Sequence, residues 1–165
     1  MTRDPTVQDP KAIRKNLRPE ELAVWRSLVD TTEIIHRRLS AILQESDIST
    51  ADYSVLLALS EASDHELRSS DLAAAMSWER SRLSHHLGRM EKRNLISRSE
   101  SATDSRSALV SLTPDGARTF RRVSAPHLQG IKVMFADALT SEQLDSLAGI
   151  LTSIRRHLDD SPDSH

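Results

Sequence analysis

Residues 77–89, "SWERSRLSHHLGR", hold Ser77, Arg80, Ser81, Arg82, Ser84, His85 and Arg89 in one short run. The arginine fork matches guanine O6 and N7 or a phosphate group, and serine hydroxyls suit phosphate oxygens or several bases. Two other chemistries deserve comparison. Ser84 precedes His85, but adjacent helical residues do not face one another, and the chain has neither a G-x-S-x-G elbow nor a glycine-rich phosphate loop. His85 and His86 project from different helix faces, and neither a His-x3-His pair nor any cysteine is present. The residues therefore point away from an enzyme, a metal site or a cofactor. A second cluster, Asp104 and Arg106 in "ATDSRS", pairs a carboxylate with an arginine two positions away, where a charge-assisted hydrogen bond can orient the guanidinium.

The elements that must present these residues follow from periodicity. Pro19 with Glu20 and Glu21 starts a helix whose apolar positions Leu22, Trp25, Val29, Leu39 and Leu43 keep three-four spacing to about Glu45. Ser49 with Asp52 makes a capping box for the apolar helix "YSVLLALSEA". After the polar break "SDHE", Ser69 or Ser70 is expected to cap a short helix through Met76. Ser77 is expected to cap the next helix, which carries Leu83, Leu87 and Met90 inward. Two short helices in succession are a helix-turn-helix candidate, with Trp78 packed where the turn meets the second helix. "LISRSES" and "ALVSLT" then read as the strands of a hairpin around "ATDSR", placed as a wing. Thr113 and Pro114 launch a helix to about Leu139, with a kink expected at Pro126, and Thr140 with Gln143 caps a last helix to about Leu158.

Composition limits the rest. A chain of 165 residues with 38% hydrophobic but only 3% aromatic residues suits a helical core of Leu, Ile, Val and Ala. Zero cysteines exclude a disulfide framework and fit a reducing cytoplasm. No apolar run reaches the ~18 residues of a membrane span, and "MTRDPTVQDPK" lacks the apolar core of a signal peptide, so a cytoplasmic protein with no membrane partner is expected. The net charge is −2, yet across residues 78–107 seven cations oppose four anions, a local balance of +3 that leaves −5 for the remainder. That asymmetry steers a polyanion toward the helix-turn-helix.

The run Asp104-x-Arg106-(x)3-Val110-x-Leu112-Thr113-x-x-Gly116, preceded by "SRLSHHLGRMEKRNLISR", resembles the MarR family of winged-helix transcription regulators, and the element order from 19 to 158 resembles its actinobacterial members. The resemblance implies a mainly α winged helix-turn-helix protein with a small β-hairpin wing and a helical dimerisation arm from the N- and C-terminal helices. The expected organisation is a flexible arm over 1–16, dimerisation helices over 17–48 and 114–158, a DNA-binding region over 49–113 and a flexible tail over 159–165. It further implies a homodimer on a pseudo-palindromic duplex, acting first as a repressor, with activation or ligand-free binding left open. Arg82 is the first candidate for base reading; Ser77, Arg80, Ser81, Ser84, His85 and Arg89 contact bases or phosphates, and Arg106, oriented by Asp104, enters the minor groove. Many relatives release DNA on binding phenols or aromatic acids, which makes Trp25, His36, Tyr53 and His127 candidates for a pocket holding a small-molecule effector. The competing reading is a helical adaptor whose basic segment binds an acidic protein partner.

Overall fold

The computed structural model describes residues 17–100 and 108–160. The chain forms two compact units, Met1–Arg38 and Leu39–His165. In the first, the described residues are almost entirely helical and belong to α1 (Pro19–Gln44), which opens with the Glu20 and Glu21 carboxylates in its first turn and continues into the second unit. Val24, Trp25, Leu28 and Ile34 are exposed along it.

The second unit contains α2 (Thr50–Glu61), β1 (Glu66–Arg68), α3 (Ser69–Ala75), α4 (Arg80–Lys92), β2 (Ile96–Glu100), β3 (Ala108–Leu112), α5 (Pro114–Met134) and α6 (Ser141–Asp160). The strands form an antiparallel sheet in the order β1-β3-β2, with Leu67 opposite Val110 and Arg98 opposite the same residue from the other side. Val110 is fully buried, and it joins Leu43, Ile48, Leu56, Leu59, Leu72, Leu83, Leu87, Met90, Ile96 and Val123 in one core. The core is aliphatic, as the composition requires.

Three helix ends use one device. After α1, Ile48 N–H bonds to Leu43 O and Asp47 N–H to Gln44 O. After α3, Trp78 bonds to Ala73 and Ser77 to Ala74; after α4, Leu95 bonds to Met90 and Asn94 to Glu91. These are Schellman pairs, which need a left-handed residue between helix and exit. Asp47, Ser77 and Asn94 fill that place at φ of 57°, 52° and 56°. In each case the following residue, Ile48, Trp78 or Leu95, turns into the core.

Two expected caps are corrected, the first by that device. Ser77 closes α3 instead of opening α4, which starts after Glu79 with no side-chain cap; α3 starts after Arg68, also without one. The break before α3 contains a third strand, β1, preceded by a 3-10 turn at Ser63–His65. The Ser49–Asp52 box, the Thr113 cap with Pro114 and the Thr140–Gln143 box form as expected. Helix α5 runs through Pro126 but ends at Met134, short of the expected Leu139. Phe135 leaves the helical region at φ −124°, and a 3-10 turn over Ala136–Ala138 leads to Thr140.

Candidate nucleic-acid interface

Helix α4 divides cleanly. Leu83, Leu87 and Met90 are at most 1% exposed, whereas Arg80, Ser81, Arg82, Ser84, His85 and Arg89 are exposed on the other faces, with Ser77 exposed in the turn before them. Spacing of three and four residues produces this division, because it returns the chain to the same face of the helix. Every candidate of this cluster thus shares one solvent-facing surface. Asp104 and Arg106 lie outside the described residues.

The cations on this surface differ in what holds them. The Arg82 guanidinium lies 4.3 Å from the Trp78 ring centroid, a cation–π contact that restricts its swing. Trp78 is half-buried against the core, as its packing role requires, and its ring meets that of His86 edge-on at 5.3 Å. Arg98 of β2 donates to Glu91 Oε2 at 3.0 and 2.6 Å, fastening the strand to α4, and that bond holds the Glu91 carboxyl below its ordinary range. Arg80 and Lys92 make no ion pair among the described residues. Between α4 and β2 an open groove of about 400 Å³ is lined by Ser84, His85, Gly88, Arg89, Glu91, Lys92 and Arg98. A groove edged by several cations suits an anionic backbone.

Beneath this surface lies a polar cluster that the residue pattern had not singled out. His86 is only 7% exposed, on the same stripe as Leu83, Leu87 and Met90. Its Nε2 lies 3.1 Å from Asp52 Oδ1, off the line of a regular hydrogen bond, so the contact is chiefly electrostatic. Its Nδ1 is 2.9 Å from Arg89 Nη2. Arginine only donates, so Nδ1 accepts and the ring proton sits on Nε2, the nitrogen beside the carboxylate. Asp52 also accepts from Ser49 N–H at 3.0 Å and from Arg93 Nη1 at 2.9 Å. Burial pushes the Asp52 carboxyl up, but His86, the Ser49 N–H and Arg93 outweigh it and hold the group well below the usual carboxylate range. Arg93 is therefore a structural cation; it also donates to the Asp47 carbonyl. The signal for His86 was present in the sequence, at three residues from Leu83 and four from Met90, but its polar type and its neighbour His85 concealed it.

The "TPDG" stretch proves to be a joint. Thr113 Oγ1 donates to Asn94 O at 2.6 Å and accepts from Gly116 N–H at 2.9 Å, while Asn94 Nδ2 donates to Asp115 Oδ2 at 2.5 Å. A Cβ on Gly116 would stand 1.9 Å from the Leu95 carbonyl oxygen, so only glycine permits this approach. The end of α4 is thereby tied to the start of α5.

Of the four pocket candidates, the structure brings two together. The Tyr53 and His127 rings lie 4.4 Å apart, with Phe120 at 5.6 Å from Tyr53. Burial lowers the His127 pKa, and among the described residues neither its Nδ1 nor Ser124 Oγ has a hydrogen-bond partner. Trp25 and His36 are exposed residues of the first unit.

A family model described as "Transcriptional regulator SarA/Rot" matches residues 37–123. The fold is similar to that of AbsC, a MarR family transcriptional regulator from Streptomyces coelicolor, with a TM-score of 0.82 and 34% identity over 88% of this chain and 98% of AbsC. It is also similar to Sco3205, a MarR family regulator from the same organism solved in complex with DNA, with a TM-score of 0.79 and 31% identity over 86% of this chain and 89% of that one. The organohalide-sensing RdhR-CbdbA1625 regulator in its 2,4-dichlorophenol-bound form shares the fold at a TM-score of 0.72 and 24% identity, over 93% and 89% of the two chains. No curated protein matches the chain.

Proposed function

The chain belongs to the MarR family of transcriptional regulators, and from that premise we propose that it binds a pseudo-palindromic operator as a homodimer, one α4 in each of two adjacent major grooves, and represses from it. The observation that carries this reading is the division of α4: an apolar stripe locked in the core, and an arginine- and serine-bearing face left to solvent. Arg82 is the first base reader, Ser77, Arg80, Ser81, Ser84, His85 and Arg89 complete the contact surface, and Asp104 with Arg106 serves the minor groove. The domain organisation that fits is a DNA-binding region over 49–113 between dimerisation helices over 17–48 and 114–158. The DNA complex of Sco3205 supports the partner. Among the described residues no helix is long and apolar enough to cross a membrane, and the cytoplasm is the location that fits a DNA partner.

Dimerisation has its own support. Helix α6 has no buried residue, and Leu144, Ile150, Leu151, Ile154 and Leu158 stand exposed on it. Apolar surface of that extent calls for cover. A small aromatic effector is the ligand class that fits Tyr53 and His127, whose tilted rings lie 4.4 Å apart, with the unpartnered His127 Nδ1 and Ser124 Oγ offering a hydrogen bond. The dichlorophenol-bound relative is in keeping with that class. The assignment of Trp25 and His36 to the same effector rests on the sequence alone.

The deciding experiment is selection of the purified protein against a random duplex pool at two salt concentrations. An inverted repeat with half-sites about one helical turn apart, ~10 bp, is expected. Recovery of no motif, with only weak salt-sensitive binding, would replace the regulator with the adaptor that binds an acidic protein.

A further inference from the structure

We infer that His86, a buried residue, is a positioning residue for DNA reading: it holds the Arg89 guanidinium in place on the surface of α4, and Asp52 holds His86. The inference rests on the DNA-binding reading above. Arg89 is exposed and has five N–H donors, of which the bond to His86 Nδ1 engages one. The others remain available to a duplex. An exposed arginine ordinarily surrenders side-chain entropy when it binds; one already tethered surrenders less and presents its fork at a fixed angle. The tether works only if Nδ1 is an acceptor. Asp52 ensures this by standing at Nε2, 3.1 Å away, where it favours the tautomer that carries its proton on that nitrogen. The Trp78 ring packs perpendicular to the imidazole at 5.3 Å, which restricts the direction of the ring as well. Asp52 is in turn held by Ser49 N–H and Arg93, so the chain of contacts runs from the start of α2 through the core to the exposed face of α4.

Two substitutions separate the arms of the imidazole. His86→Asn places a carboxamide oxygen where Nδ1 lies and keeps the acceptor for Arg89, whereas His86→Gln places a carboxamide nitrogen where Nε2 lies and keeps only the donor toward Asp52. Wild type, both variants, Arg89→Ala and the His86→Gln/Arg89→Ala double variant are titrated against the inverted repeat that wild type selects, against each single-base-pair change in it, and across salt. Arg89→Ala defines what Arg89 does: a roughly tenfold loss of preference at one position per half-site if it reads a base, or a salt slope shallower by about one per subunit if it holds a phosphate. His86→Gln is expected to reproduce that same loss, the double variant to add nothing to it, and His86→Asn to keep at least half of the preference or slope that Arg89→Ala loses. Arg89→Lys is an exposed change that spares the core and serves should either His86 variant unfold. Lacking the planar fork, it is expected to lose the same base preference, and to keep the salt slope if Arg89 holds a phosphate. Additive losses in the double variant, equal weakening of every duplex by both His86 variants, an Arg89→Ala indistinguishable from wild type, or, where Arg89→Ala loses a base preference, retention of that preference by Arg89→Lys, each overturn the inference. Failure of wild type to select any repeat is a separate result: it removes the regulator reading, and this inference with it.

Discussion

Gly116 and Asp52 show how much of this protein depends on single atoms. A methyl group at Gly116 would meet a backbone oxygen, which cannot swing aside as a side chain can. Gly116→Ala is therefore expected to destabilise the protein by about 3 kcal/mol, at the upper end of the usual overpacking cost, read as a lower urea midpoint. Asp52 carries the pH dependence. Its carboxyl is held below the ordinary value of 3.8, so the unfolded chain takes up the proton first. The stabilisation is complete above that value and fades as the pH falls beneath it. Asp52→Asn is expected to cost about 3 kcal/mol at neutral pH, as for a broken buried ion pair, and to flatten the loss of stability below about pH 4. An acid limb as steep as that of wild type would mean that other carboxylates govern it. The capping role of Asp52 was legible in the sequence three residues from Ser49; its burial beneath His86 was not, because that contact joins residues 34 positions apart.

Helices announced themselves, and their endings did not. Three-four spacing marked α1 and α4, capping boxes marked the starts of α2 and α6, and each of those boxes formed. The missed features have a physical cause. A three-residue strand such as β1 is too short for alternation to register, and it exists because β3 offers it an edge. The left-handed exits at Asp47, Ser77 and Asn94 lack the glycine that normally marks them. These exits make a paired prediction. Ser77→Gly should stabilise the protein by about 1 kcal/mol by relieving left-handed strain. Asn94→Gly should show no such gain, because it forfeits the bond to Asp115. Thermal midpoints of the two variants decide it, and an equal gain in both would deny the Asn94 amide any structural part.

At the scale of the whole molecule, the net positive charge falls in the segment around α4, and exposed aliphatics lie along α1, α5 and α6. The proposed dimer is tested by Ile154→Asp, which is expected to yield a monomer by light scattering and to weaken operator binding steeply; a persisting dimer would clear α6 of that role. The joint at Asn94, Leu95, Thr113 and Gly116 has a mechanical side. It fixes one end of α4 to α5, while Arg80 and Arg82 sit at the other end of a 13-residue rod. With about 1.5 Å per residue, the rod is about 20 Å long, and a tilt of about 5° at the joint sweeps its far end through roughly 1.7 Å. Hydrogen-bond distances tolerate only about 0.5 Å. Leu83, Leu87 and Met90 lock the same rod into the core, so the joint and the stripe together keep the arginines in register, and any slack in either is amplified at the far end.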